Sequence, residues 1–108
     1  MAEEQGRGKA GTRAADKGIC IPVTGMDVIV RGLTVTRAPF LERNLLIPLD
    51  AHIATILVQP LVDPGTMVNV AFSPEVSEEA RIWSIGQVRE ASKWRIWVRF
   101  HCTLHITR

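Results

Sequence analysis

Two cysteines in 108 residues are too few for a disulfide framework. Cys20 and Cys102 are therefore expected as buried free thiols, the usual environment of an unpaired cysteine. No apolar run approaches the length of a transmembrane helix, so no membrane contact is expected. The chain is polar up to Ile19 and lacks the apolar stretch of a secretory leader there. The cytoplasm is the expected compartment. Neither sign of charge dominates: 13 basic and 11 acidic residues leave a net charge of +2. A protein that binds nucleic acid as a bulk polyanion needs a clustered basic surface, so nucleic acid is not the expected partner. No internal repeat is present.

What the chain does have is alternation. Trp94, Ile96, Val98, Phe100, Cys102, Leu104 and Ile106 are apolar, and Arg95, Trp97, Arg99, His101, Thr103 and His105 lie between them. Side chains alternate across a strand, so this pattern predicts a strand with one buried and one wet face. Thirteen residues at about 3.3 Å each would span roughly 43 Å, against ~17–20 Å for an ordinary strand. A bulge or kink near Phe100 is expected, or else pairing of the C-terminal half with another chain.

The rest reads as short apolar runs with punctuation. Residues 1–18 hold half of the eight glycines and no large apolar residue after Met1. Such a stretch cannot bury enough surface to offset its ordering entropy, and a flexible arm is expected, with residues 1–12 disordered. From Ile19 to the end one domain is expected. Ile21–Val30 predicts a strand interrupted at Gly25. Gly32 predicts a turn, and Leu33–Ile47 an extended stretch with Pro39 at an edge or bulge. Ile53–Val58 is β-branched and apolar. Asp63-Pro64-Gly65 fits a type II turn, followed by Met67–Phe72 with Val68, Val70 and Phe72 on one face. Residues 74–79 read as a polar loop with room for one helical turn. Ala80–Val88 and Trp94–Ile106 form the closing hairpin. Six strands in this arrangement predict an all-β antiparallel barrel or sandwich.

Catalytic and metal motifs fail on geometry. Gly6-Arg7-Gly8-Lys9-Ala10-Gly11 matches a dinucleotide fingerprint only in letters, because no strand precedes it. In a strand Cys102 points away from His101 and His105. The two histidines would lie about 13 Å apart, too far for metal–ligand bonds of about 2 Å to one ion. Ser73, Ser77, Ser84 and Ser92 sit in or beside turns or the last hairpin without a nucleophile elbow. Glu75, Glu78 and Glu79 read as a solvated acidic loop. Neither an enzyme nor a metal site is expected. Trp94 belongs to the apolar face. Trp97 interrupts the polar row between Arg95 and Arg99 and is open to three readings: packing across strands on Trp83, stacking on a base, or filling a partner's pocket.

In order and spacing, four segments resemble the PilZ domain, a small bacterial β-barrel that receives cyclic di-GMP. They are Ile21-Pro22-Val23 with Gly25-Met26-Asp27; Pro39-Phe40-Leu41-Glu42-Arg43; Pro64-Gly65-Thr66-Met67-Val68-Asn69-Val70; and Gly86-Gln87-Val88 with Trp94-Arg95-Ile96-Trp97-Val98-Arg99-Phe100. The resemblance covers roughly residues 13–101. It implies a six-stranded split barrel over residues 19–108, preceded by the arm, and places the chain in a signalling family.

The resemblance also implies two nucleotide-binding motifs. The first, Arg-x-x-x-Arg, matches Arg13 to Lys17, with lysine at the second position. Lysine offers a phosphate a point charge but not the planar fork that grips a guanine edge. The second, Asp/Asn-x-Ser-x-x-Gly, falls on Pro48–Ile53, with Asp50 at the serine position and Ile53 at the glycine. Starting it at Asp50 puts His52 at the serine and Thr55 at the glycine. Either way a β-branched residue replaces glycine and should block the approach of a ligand to backbone. The candidate ligand-binding residues are Arg13, Lys17, Asp50 and His52, with cyclic di-GMP bound weakly or not at all. Trp97, Arg95 and Arg99 form the candidate interaction surface. Another protein is the expected partner, with a homodimer through the C-terminal strand as one form. The alternatives are a working cyclic di-GMP receptor and a small barrel that binds single-stranded nucleic acid.

Overall fold

A computed structural model describes residues 18–88 and 92–108. The expected arm, and with it Arg13 and Lys17, lies almost wholly outside the described residues, as does part of the last hairpin's turn. Among the described residues all regular structure is strand: β1 (Ile19–Pro22), β2 (Met26–Leu33), β3 (Pro39–Pro48), β4 (Ile53–Val58), β5 (Met67–Ala71), β6 (Ser77–Val88), β7 (Lys93–Phe100) and β8 (Leu104–Thr107). Six of them close an antiparallel barrel in the order β2-β3-β4-β7-β6-β5. No helix among these residues is long and apolar enough to cross a membrane.

Alternation puts one phase of each strand inside. Val28, Val30, Leu46, Ala54, Ile56, Val58, Val68, Val70, Ala80, Ile82, Ile96, Val98 and Phe100 fill the barrel and are buried. These are mostly β-branched side chains, which suit a pleated surface. Phe72 packs on Phe100 with ring centroids 5.8 Å apart.

The long C-terminal alternation divides where its length requires. β7 ends at Phe100, the chain bends at His101–Cys102, and β8 follows. The buried phase survives the bend, so Cys102 and Leu104 stay in the same apolar cluster as Phe100, while Ile106 is exposed. β8 then pairs within the chain, in parallel with β1, from Ile19↔Leu104 to Pro22↔Thr107. This two-stranded ribbon is the one parallel pairing among the described residues, and the alternation alone did not suggest it. Parallel neighbours need a long connection, and here the whole barrel is that connection. Ile19, Ile21, Cys102 and Leu104 join the barrel core, so the ribbon extends the apolar interior beyond the barrel.

Several local expectations need correction. The β2–β3 turn is not at Gly32, which is a strand residue paired with Phe40. A side chain there would meet Val68 at 3.0 Å and the Phe40 ring at 3.3 Å, so close packing explains this glycine. The turn lies at Thr34–Ala38, where Arg37 takes φ 70° and the Thr34 hydroxyl accepts from the Ala38 amide at 3.1 Å. Leu33 therefore ends β2 instead of opening the next strand. No helical turn forms in 74–79: the Phe72 amide donates to the Val76 carbonyl at 2.8 Å, and β6 begins at Ser77. Trp83 does not pack on Trp97. It occupies a β-bulge between Ile82 and Ser84 and stands 52% exposed, while the Trp97 ring lies over Gly86. Cys20 is exposed, because it faces outward on β1, and only Cys102 is buried. The expected turns at Gly25 and Gly65 are present, with φ of 96° and 92°.

The core and the outer wall should respond differently to truncation. Ile56→Ala is expected to lower unfolding free energy by about 2–5 kcal/mol by leaving a cavity. Leu41→Ala, at a 61% exposed position, should stay within about 0.5 kcal/mol. Urea denaturation of both variants checks the contrast. Burial, with the nearby Glu78 charge as a second cause, pushes the Cys102 thiol up to about 11. At neutral pH a disulfide reagent should therefore modify Cys20 in the folded protein, and Cys102 only after denaturation.

Candidate functional site

The two strands β3 and β4 are joined by Leu49–His52, the segment that carries the candidate ligand-binding pair. The Asp50 carboxylate folds back on its own loop. Its Oδ1 accepts from the amides of His52 and Ile53, both at 2.8 Å. This is an aspartate-capped turn, common wherever a short acidic side chain can satisfy local backbone. The two amides, chiefly, hold the Asp50 carboxyl below its ordinary range, and the Arg99 charge adds to the effect. Ile53 opens β4 in extended conformation, with none of the left-handed backbone a glycine there would permit.

The same loop is tied to the β7–β8 bend. The Phe100 amide donates to the His52 carbonyl at 2.8 Å, and the Leu104 amide to the Ala51 carbonyl at 2.7 Å. His52 Nδ1 donates to the Cys102 carbonyl at 3.1 Å. The described chain begins beside this junction. The Ile19 amide donates to the Thr103 carbonyl at 2.8 Å, and a side chain on Gly18 would collide with Thr103 and His105. Asp50 and His52 thus share one end of the molecule with Gly18, the residue after Lys17. Where Arg13 and Lys17 lie is outside the described residues.

Trp97, Arg95 and Arg99 all lie on the outer phase of β7, as alternation requires. Register builds three cross-strand rows: Ile53, Arg99 and Arg81; Thr55, Trp97 and Ser84; Leu57, Arg95 and Gly86. Arg99 is exposed beside the Asp50 turn. Arg95 Nη1 donates to the hydroxyl of Thr55 at 3.1 Å, and Thr55 is only 5% exposed. Arg81 Nη1 donates to the Gly65 carbonyl at 2.8 Å and braces the turn before β5. Trp97 is half-buried over Gly86. This wall is basic, and a hollow beside Thr55, Leu57 and Arg95 measures about 180 Å³. Among the described residues no group of three or more His, Cys, Asp or Glu side chains could hold a metal ion.

The larger concavity lies elsewhere and was not foreseen. On the outer face of β2 and β3, closed off by the turn after β5, a groove of about 530 Å³ is lined by Asp27, Ile29, Arg31, Leu41, Arg43 and Phe72 among others. It exists because β5 pairs with β2 only along Ile29–Arg31 and then turns away at Phe72. A hint was present in the letters, since Leu41, Arg43 and Leu45 alternate with Glu42 and Asn44. The phase of β3 could not be assigned from them, because Phe40, Leu41, Leu45 and Leu46 are apolar on both faces.

No family model, characterised protein or solved structure matches this chain.

The Asp50 turn has a signed pH dependence. Its depressed carboxyl contributes stability fully present above the ordinary aspartate value of 3.8 and lost as pH falls below it through the folded value. Asp50→Ala is therefore expected to lower the melting temperature at neutral pH. The gap from wild type should narrow as pH falls below the ordinary aspartate value. Thermal melts of both proteins across that range check it.

Proposed function

We propose that this chain is a PilZ-like module of the cytoplasm, in which the nucleotide site has degenerated and the barrel works by binding another protein. The resemblance in segment order supports the family, and a closed six-stranded antiparallel barrel is the fold it implies. The observation that carries the loss of nucleotide binding is the state of the Leu49–Ile53 segment. A receptor needs short polar groups and open backbone there, so that a guanine can lie against the chain. Instead both amides that a ligand could use are taken by Asp50, the His52 ring is held by the Cys102 carbonyl, and Ile53 adds a branched side chain at the glycine position. Lys17 in place of arginine removes a bidentate donor as well, worth about 1.5–3 kcal/mol as a charged hydrogen bond. The outer wall of β7, with Arg95, Trp97 and Arg99, is the protein-binding surface in this reading. An aromatic ring flanked by guanidinium groups is typical of an interface anchor.

The receptor reading keeps one point in its favour: Gly18, the first described residue after Lys17, adjoins the bend that is bonded to the Asp50 loop. Isothermal titration of the full chain with cyclic di-GMP separates the two. The expected result is no saturable heat at low micromolar concentrations. Saturable binding at about 1 µM or tighter, roughly −8 kcal/mol, that Arg13→Ala abolishes would instead establish a receptor.

A further inference from the structure

The groove on the β2–β3 wall is on the far side of the barrel from the surface just described. In the ring β2-β3-β4-β7-β6-β5, β2 stands opposite β7. We propose that this groove is the docking site for an acidic, amphipathic helical segment of a partner protein.

Register composes the floor as a checkerboard. Ile29 faces Arg43 across the β2–β3 ladder, and Arg31 faces Leu41. The two apolar residues therefore form one diagonal and the two guanidinium groups the other. Diagonal neighbours on a sheet face lie about 7–8 Å apart. Ala71, Phe72 and Pro74 continue the apolar surface on the β5 side. Beyond Arg31 and Leu41 the groove runs into a second hollow of about 470 Å³, lined also by Gly32, Leu33, Pro39 and Phe40. Leu41, between the two, is 61% exposed, with Leu33 at 44% and Leu45 at 47% on the same wall. A cluster of exposed leucines in a concave surface marks an interaction site more strongly than single exposed ones.

Charge selects the occupant. Neither Arg31 nor Arg43 has a hydrogen-bond or ion-pair partner among the described residues. Asp27 is the one carboxylate lining the groove. Two free forks against one acid call for carboxylates from outside, which arginine holds bidentately. On a helix, side chains one turn apart have Cβ atoms about 5–6 Å from each other, so two glutamates flanking a leucine can reach both forks while the leucine meets Ile29 and Leu41. An added strand does not suit the centre of the groove, because β2 is paired on both sides at Ile29–Arg31. A flat lipid surface would leave the recessed floor unfilled. The chain's own first 17 residues do not match either: they carry Arg7, Lys9, Arg13 and Lys17 against Glu3, Glu4 and Asp16, with no large apolar residue after Met1.

The test uses the full chain and a labelled peptide of about 14 residues, with leucines at helical spacing flanked by glutamates. A second peptide carries lysine at every glutamate. Fluorescence anisotropy gives affinity, and amide chemical shifts locate the site. The acidic peptide is expected to bind saturably, with shifts at Ile29, Arg31, Leu41, Arg43 and Ala71. The double variant Arg31→Glu, Arg43→Glu should weaken it at least about tenfold, and Leu41→Ser should weaken it too. Circular dichroism verifies that both variants fold. Absence of saturable binding, equal affinity for the lysine peptide, or shifts at Arg95, Trp97 and Arg99 instead would overturn the proposal. So would sedimentation with phosphatidylglycerol vesicles that the double variant abolishes while the peptide stays unbound. The cyclic di-GMP titration reads the Asp50 loop, which shares no residue with this groove, so either result there leaves this one to stand or fall separately.

Discussion

Closure of the barrel is the constraint on which the rest of this structure depends. A sheet that ends must leave a row of unpaired amides and carbonyls, and a closed sheet need not. Here closure runs through two short seams, β2 with β5 along Ile29–Arg31 and β3 with β4 along Leu46–Pro48. The other ladders are longer, reaching from Ala80 to Val88 along β6 and β7. Where a seam is short the strands separate on either side of it, and the outer surface acquires relief. The groove on the β2–β3 wall is the consequence of the first seam. At the second, β3 stands apart from β4 before Leu46, and there Glu42 reaches from β3 to accept from the Gln59 amide at 3.2 and 3.3 Å.

The ribbon of β1 and β8 solves a different problem. A small barrel has few buried side chains, and each open end exposes some of them. The parallel pair brings Ile19, Ile21, Cys102 and Leu104 into the same cluster as Phe100 and lengthens the apolar interior. The Ala51 and His52 carbonyls then accept amides from the strand pair's approach at Leu104 and Phe100. The segment that would be a ligand loop is thereby built into the closure. Asp50 turns that same segment tightly enough to make both bonds possible. Its polar atoms are engaged by the fold and are not left open to a ligand.

The two outer walls are basic in different ways. On the β7 wall the guanidinium of Arg95 is spent on Thr55 and that of Arg81 on the Gly65 carbonyl, while Arg99 is exposed without such a bond. On the β2 wall Arg31 and Arg43 hold no such bonds and overlook a recess. A net charge of +2 spread over the chain would not distinguish them. What distinguishes them is the larger recess on the β2 wall, and that neither of its two arginines has a partner among the described residues, whereas two of the three on the β7 wall do.

Strand identity along most of the chain was decided by the sequence alone. The period of two in Trp94–Ile106, the β-branched run Ile53–Val58 and the Asp63-Pro64-Gly65 turn are local features, set by side-chain alternation and backbone sterics. So was the break near Phe100, which follows from the length of one strand against the size of a small barrel. Tertiary structure decided everything that depends on a second strand. Gly32 is a turn signal by its letters, and only the proximity of Phe40 and Val68 makes it a packing position. Cys20 looked buried because cysteines usually are, and its place on an outward phase of a two-stranded ribbon exposes it. Asp50 and His52 were legible as polar residues in a motif, and the bond from the Ile53 amide to Asp50 is local, but the His52 ring is held by a carbonyl in a bend fifty residues away. Arg31 and Arg43 lie twelve residues apart and carry no motif. Register alone makes them diagonal neighbours, because a cross-strand pair is written into no single strand.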